Sequence, residues 1–346
     1  MLNSKDKVAI YMESNLDSDY GKMGMGVIRY LNNKITCVID SNHAGKSINL
    51  FINTNRNIPI VQSLEIAIEK KSSVLILGIA PSGGKIPKEW NPIIEKALKS
   101  GLSIVNGLHE LLFPLWKDLI KKNKNQWIWD VRMPLFVPEI ATGKASKLKN
   151  KRILFIGTDM AVGKMTAALE IYSCLIKKRE SVGFVATGQI GITLTGKGIP
   201  LDAFKVDHAC GAIEAAVLEN SKKGIVLIEG QGSLLHPGST ATLPLMRGSC
   251  PTHLILCHRA TKKTLRSPKN IKIPDLKEFI NLNELLTTVS GTFPKAKVIG
   301  IALNTSHLVN DKAILSINQL EKKLNIVTTD VVRFGPAKLA KAILEI

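Results

Sequence analysis

The segment Lys151-Arg152-Ile153-Leu154-Phe155-Ile156-Gly157-Thr158-Asp159-Met160-Ala161-Val162-Gly163-Lys164-Met165-Thr166 restricts the fold more than any other part of the chain. An apolar strand enters a glycine-bounded turn, and Gly163-Lys164 opens a helix that continues AALEIYSCLIKK. A phosphate-cradling loop needs that order. The strand aims the loop, the glycines let backbone N–H groups close on phosphate oxygens, and the helix N-terminus adds partial positive charge. Lys164 would bring a point charge to the same oxygens. The expected anion-binding residues are Gly157, Thr158, Asp159, Ala161, Val162, Gly163, Lys164, Met165 and Thr166. The loop is one residue longer than Gly-x4-Gly-Lys, and Met165 replaces the hydroxyl residue that holds Mg²⁺ after the lysine. That replacement weighs against a nucleoside triphosphate.

At 346 residues the chain can fill two cores. Apolar content of 45% and charged content of 22% are those of a soluble globular protein. No apolar run approaches the roughly 20 residues of a membrane helix, so no membrane partner is expected. The N-terminal MLNSKDKVAIYMES lacks the apolar length and cleavage pattern of a secretory signal. Cys37, Cys174, Cys210, Cys250 and Cys257 are scattered without a C-x-x-C pair. They read as reduced thiols of a cytoplasmic protein, with no metal site expected. The net charge of +19 comes mostly from lysines spread along the whole chain, and aromatic residues make up 5%. A nucleic-acid surface would need clustered cations with stacking aromatics. The charge reads instead as a solvated surface that attracts a small anionic substrate.

Apolar runs alternating with amphipathic helical patterns predict α/β architecture in both halves, joined near residues 138–151. In the first half, residues 1–145, KVAIY (7–11), ITCVID (35–40), IPIV (58–61), VLILGIA (74–80) and LSIVNG (102–107) read as strands of a Rossmann-like parallel sheet. In the second, residues 146–346, the strands are RILFIG (152–157), SVGFVAT (181–187), GIVLIEG (224–230), THLILC (252–257) and KVIGIALN (297–304). Helices there start near Gly163, His208, Asp275, Asp311 and Pro336, giving a doubly wound P-loop domain. The sequence does not fix an oligomeric state, although homo-oligomers are common for this architecture.

Ligands of such sheets gather at the carboxyl ends of the strands. GIVLIEG leads into Glu229-Gly230-Gln231-Gly232-Ser233-Leu234-Leu235-His236-Pro237, where a P-loop protein carries its second acidic motif. Glu229 could be a metal ligand, a general base or a turn cap, and His236 a proton acceptor or an ordinary loop histidine. Arg259, closing the strand LILCHR, could grip a carboxylate or phosphate. Asn304-Thr305-Ser306 could contact a ring edge or cap a turn, while Asp202 and Asp207-His208 read as helix caps. In the first half YGKMGMG, APSGGK and NGLHE form glycine-rich loops, and Asp40 stands where a Rossmann domain holds a ribose hydroxyl. No G-x-G-x-x-G follows the first strand, so dinucleotide binding does not follow.

Taken in order, YGKMGMGVIRY, VIDSNHAGK, GIAPSGGKIPKEW, GLHELL, DVRMP, GTDMAVGKMTAALE, IEGQGSLLHPG, LCHRAT and GIALNTS resemble a family long catalogued as a domain of unknown function. The resemblance covers nearly the whole chain. It implies a Rossmann-like N-terminal domain, a P-loop C-terminal domain and the activity of a D-glutamate N-acetyltransferase using acetyl-CoA. The second half is also similar to dethiobiotin synthetase, which shares the longer loop and the Glu-Gly strand exit. That similarity implies the alternative, an ATP/Mg²⁺-dependent ligase or kinase; a non-catalytic nucleotide or CoA binder is a third class. Against the synthetase pattern stand Met165 and Gly188-Gln189, which has no acid at the second metal position. Coenzyme A carries phosphates that need no cleavage, so a loop without metal partners suits it. Acetyl transfer then needs a base, for which His236 or Glu229 are candidates. It needs oxyanion donors, for which Gly230, Gln231, Gly232 and Ser233 are placed. It also needs cations for the acceptor's carboxylates, for which Arg259, Arg247, Arg132 and Arg29 are available.

Overall fold

The computed structural model describes residues 1–121 and 125–346. Two compact units emerge, one of residues 1–135 with 189–203, the other of residues 136–188 with 204–346. This division falls at Leu135/Phe136 where the sequence reading placed it at 145/146, and it assigns residues 189–203 of the second half to the first unit.

The first unit carries β1 (Lys7–Tyr11), α1 (Lys22–Tyr30), β2 (Lys34–Ile39), β3 (Ile60–Val61), α2 (Leu64–Glu69) and β4 (Val74–Leu77). It continues with α3 (Asn91–Lys99), β5 (Ser103–Asn106), α4 (Phe113–Trp116) and β6 (Ile128–Asp130). The strands pair in parallel in the order β3-β2-β1-β4-β5-β6, that of a Rossmann sheet. Its strands are apolar almost without interruption because helices cover both faces; all four residues of β4 are buried. Tyr11, Cys37, Leu75, Leu77, Ile94 and Ile104 belong to one core cluster.

The second unit begins with β7 (Lys151–Gly157), α5 (Lys164–Lys177) and β8 (Val182–Val185). The chain then makes α6 (Gln189–Thr195), which sits with the first unit, where Ile190 fills the space beside Gly26. The second unit resumes with α7 (Val206–Glu219), β9 (Ile225–Ile228), α8 (Thr242–Ser249) and β10 (His253–Arg259). It ends with α9 (Leu276–Thr288), β11 (Lys297–Asn304), α10 (Asn310–Leu324), β12 (Thr328–Thr329) and α11 (Ala337–Leu344). Its parallel sheet runs β12-β11-β10-β7-β9-β8, so the phosphate-type loop leaves β7 between β10 and β9. The connector is fastened to α7: Glu214 Oε2 accepts Thr142 N–H at 2.8 Å, and His208 Nδ1 donates to Pro138 O at 2.8 Å. His208, the third residue of α7, thus anchors the connector, and the helix starts from Lys205 with no side-chain cap, so Asp207 lies inside its first turn and does not cap it. Among the described residues no helix is long and apolar enough to cross a membrane.

Candidate ligand site

Two glycines build the pit at the carboxyl end of β7. Gly163 has φ +105°, a left-handed backbone that other residues rarely adopt, and from it α5 starts with its free amides facing the loop. At Gly230 a Cβ would lie 1.6 Å from Phe155 O, so only glycine lets the exit of β9 pass this close to β7. Lys164 lies in the pit, 4% exposed, and its Nζ donates to Asp159 O at 2.8 Å and Met160 O at 2.9 Å. Burial pushes its ammonium down to about 8, against the pull of Cys257, Asp159 and Glu229. Two backbone carbonyls occupy the lysine where phosphate oxygens would serve equally well.

Glu229 shares this pit and is 2% exposed. Its Oε2 accepts the Thr187 amide at 2.9 Å and the Gly188 amide at 3.2 Å, and Thr187 Oγ1 donates to Glu229 O at 2.8 Å. Burial pushes its carboxyl up to about 7, although both amides and Lys164 favour the charged form. A Mg²⁺ ion fits these residues poorly. It requires near-octahedral oxygen ligands, and here one carboxylate is clamped by amides, Met165 offers a thioether and Gly188 offers no acid.

Beyond β10 the chain turns back on itself: Leu265 N–H donates to Ile271 O at 2.9 Å and Ile273 N–H to Lys263 O at 2.8 Å, with Thr264 bridging Lys272. Two expected site residues hold this hairpin. Asp159 Oδ2 accepts the Arg266 amide at 2.7 Å while its Oδ1 accepts Met160 N–H at 2.7 Å. His236 Nε2 donates to Ser267 O at 2.7 Å, and its Nδ1 accepts Gly238 N–H at 3.1 Å. The lone pair that a base would use is therefore occupied, and His236 ties the strand exit to the hairpin tip. Between hairpin and phosphate loop lies a pocket of about 250 Å³, lined on the loop side by Thr158, Asp159, Ala161 and Val162. Arg259 also lines it, with a buried Nε that has no partner among the described residues. Next to it His258 is pushed down to about 4 by burial and pairs with Thr158 Oγ1 at 2.9 Å, holding the first loop residue.

The remaining expectations separate. Ser233 is buried, its amide donates to Ser239 Oγ at 3.4 Å and its Oγ accepts Leu235 N–H at 3.2 Å, so it serves its own turn and not an oxyanion. Arg247 Nη1 donates to Leu286 O at 2.9 Å and its guanidinium sits 5.7 Å from the Phe293 ring centroid, tying α8 to α9. Arg29, on α1 of the first unit, lies 5.9 Å from the Tyr30 ring centroid. Arg132, also of the first unit, donates through Nε to Gly107 O at 2.7 Å and pairs with Asp202. Burial pushes Arg132 down to about 10. Asp202 is thus an ion-pair partner and not a helix cap, and His109 Nε2 stands 3.8 Å from its carboxylate. Nothing in the sequence pairs positions 109, 132 and 202; the docking of residues 189–203 on the first unit does. Asp40 is fully buried, with both oxygens turned to Leu16 N–H, Asn42 N–H and His43 Nδ1, so its carboxylate is not presented to a ribose at the surface. Asn304 caps its turn by accepting Ser306 N–H at 3.1 Å, and its Nδ2 would stand 3.9 Å from a Cβ on Gly163.

Residues 139–340 match the P-loop domain of a domain of unknown function, DUF1611, and residues 41–134 match the Rossmann-like N-terminal domain of the same family. The chain belongs to the DUF1611 family. A crystal structure of a DUF1611 family protein from Anabaena variabilis is 42% identical, with a TM-score of 0.94 over 99% of this chain and 100% of that one. A curated relative from Tritonibacter scottomollicae, named D-glutamate N-acetyltransferase, is 35% identical over 81% of this chain and 84% of its own length. A second of the same name, from Pseudoalteromonas sp., is 34% identical over 76% of this chain and 79% of its own length. At this relatedness the DUF1611 protein described here is an enzyme, and its reaction class is N-acetyl transfer.

Proposed function

We propose that the enzyme moves the acetyl group of acetyl-CoA to the amine of D-glutamate, and that the phosphate loop holds the coenzyme's diphosphate without a metal. One observation carries the donor: the loop keeps its lysine and its helix N-terminus while its metal-holding positions are Met165 and Gly188. Such a loop can bind phosphates that are not cleaved. The acceptor rests on the activity for which the two curated relatives are named.

In the reaction the ammonium of the acceptor gives a proton to a base, the amine nitrogen bonds to the thioester carbon, and the carbon–sulfur bond breaks. The nitrogen sheds its second proton as the amide forms, and the leaving thiolate takes up that proton, so atoms and charge balance. With His236 Nδ1 occupied, Glu229 is our assignment for the base, because burial brings its carboxyl to about 7, near the working pH of a cell. Lys164 would exchange its two loop carbonyls for phosphate oxygens, losing no hydrogen bonds as the ligand enters.

Calorimetric titration with CoA and with ATP, each in Mg²⁺ and in EDTA, tests this reading. CoA should bind equally in both buffers, with ATP at least tenfold weaker. Tight Mg²⁺-dependent ATP binding without CoA binding would overturn it in favour of the ligase or kinase. Binding of CoA without turnover of any acetyl acceptor would favour a non-catalytic CoA-binding protein.

A further inference from the structure

The pocket between the phosphate loop and the hairpin after β10 carries more positive charge than a diphosphate on the loop requires. Arg259, Lys262, Arg266 and Lys269 line it, with Leu265 and Ile273 as its apolar wall. Arg259 Nε is buried there without a partner among the described residues, a donor that costs free energy until an acceptor reaches it. The one acid among the lining residues, Asp159, turns both oxygens to backbone amides and so does not neutralise Arg259, Lys262 or Lys269. Three tethers keep the wall in place beside the loop: Asp159 to Arg266 N–H, His236 to Ser267 O, and the Thr264–Lys272 bridge. The pocket lies on the β10 side of the loop, away from Glu229 at the end of β9. A ligand with its diphosphate on Lys164 can therefore direct one end into the pocket and the other past Glu229.

We propose that this pocket binds the phosphomonoester on the ribose of coenzyme A, with Arg259, Lys262 and Lys269 as its donors, so that the enzyme reads the 3′-phosphate as well as the diphosphate. This rests on the coenzyme reading of the phosphate loop. Phosphate is a multivalent acceptor, and Arg259 can meet it bidentately while the lysines act as point charges. The apolar wall suits the adjoining sugar and base.

The test compares CoA with 3′-dephospho-CoA by calorimetry on the wild-type chain and on Lys262→Ser/Lys269→Ser. Both lysines are exposed, so the variant keeps the fold. Wild type should bind CoA about 100-fold more tightly than dephospho-CoA, as expected for two charge-assisted hydrogen bonds. The double variant should bring that preference below about tenfold, leave dephospho-CoA affinity unchanged, and raise KM for acetyl-CoA with kcat retained. Equal wild-type affinity for the two coenzymes would overturn the pocket's assignment and leave the coenzyme reading intact. Failure of both to bind would overturn the coenzyme reading and the pocket with it.

Discussion

Glu229 and His236 stand in the same strand-exit segment, yet their surroundings differ: Glu229 is buried against two backbone amides, and His236 is bonded through both ring nitrogens. Glu229 is buried, and burial holds its carboxyl at about 7, above the ordinary 4.5. The folded state thus holds this proton more tightly than the unfolded chain does. Its contribution to stability is fully present below pH 4.5 and lost as the pH rises through about 7. That displacement corresponds to about 3 kcal/mol. Glu229→Gln keeps an oxygen for the Thr187 amide, so its thermal unfolding at pH 8 should lie above wild type by up to that amount, and the gap should close near pH 4.5. The same variant should lower kcat by 10²–10⁴-fold with little change in KM for acetyl-CoA, and wild-type kcat should rise with pH through about 7. A raised KM with kcat retained would move Glu229 from the chemistry to the phosphate site. His236→Ala should keep kcat within tenfold and leave the pH profile unmoved, while weakening CoA binding through the loosened hairpin tip; a hundredfold loss of kcat would restore it as a base. Position alone made both residues legible as candidates. Telling them apart required Gly238 N–H and Ser267 O, and the second lies on a hairpin that no local pattern announces.

At the scale of elements, legibility follows length and locality. The strand–loop–helix of β7 and α5 is read directly because all its determinants lie within one stretch. β6 and β12 escape, being three and two residues long and owing their pairing to neighbours. α6 escapes because QIGITLT, with its β-branched residues, favours a strand until the first unit supplies a surface for it. α8 escapes because Pro244 resembles a breaker, but in the first turn of TLPLMRGS its missing N–H has no partner to lose. β7 and β9 meet at a point where side-chain volume is excluded. Gly230→Ala places its Cβ 1.6 Å from Phe155 O, and with backbone on both sides neither strand yields cheaply. Its urea unfolding midpoint should fall by the equivalent of about 3 kcal/mol or more, and CoA binding should go with it. A wild-type midpoint would contradict the close approach.

For the whole molecule, two parallel sheets follow from strands that alternate with helices, and both were legible from that alternation. The path of the chain between the units was not, because nothing in the composition of residues 189–203 distinguishes a segment that joins the first unit from one that stays with the second. The same segment brings Asp202 to Arg132 and His109, a cluster invisible to motif reading. The proposed function rests on a phosphate-type loop that carries Lys164 at a helix start, with Met165 and Gly188 at the positions where a metal partner would stand. The most direct measurement is release of free thiol from acetyl-CoA by the purified enzyme in EDTA, with D-glutamate and with L-glutamate as acceptors. Thiol release with D-glutamate, undiminished by the chelator and abolished in Lys164→Ala, is the predicted result. No release with either enantiomer, or release that requires Mg²⁺ and ATP, would contradict it.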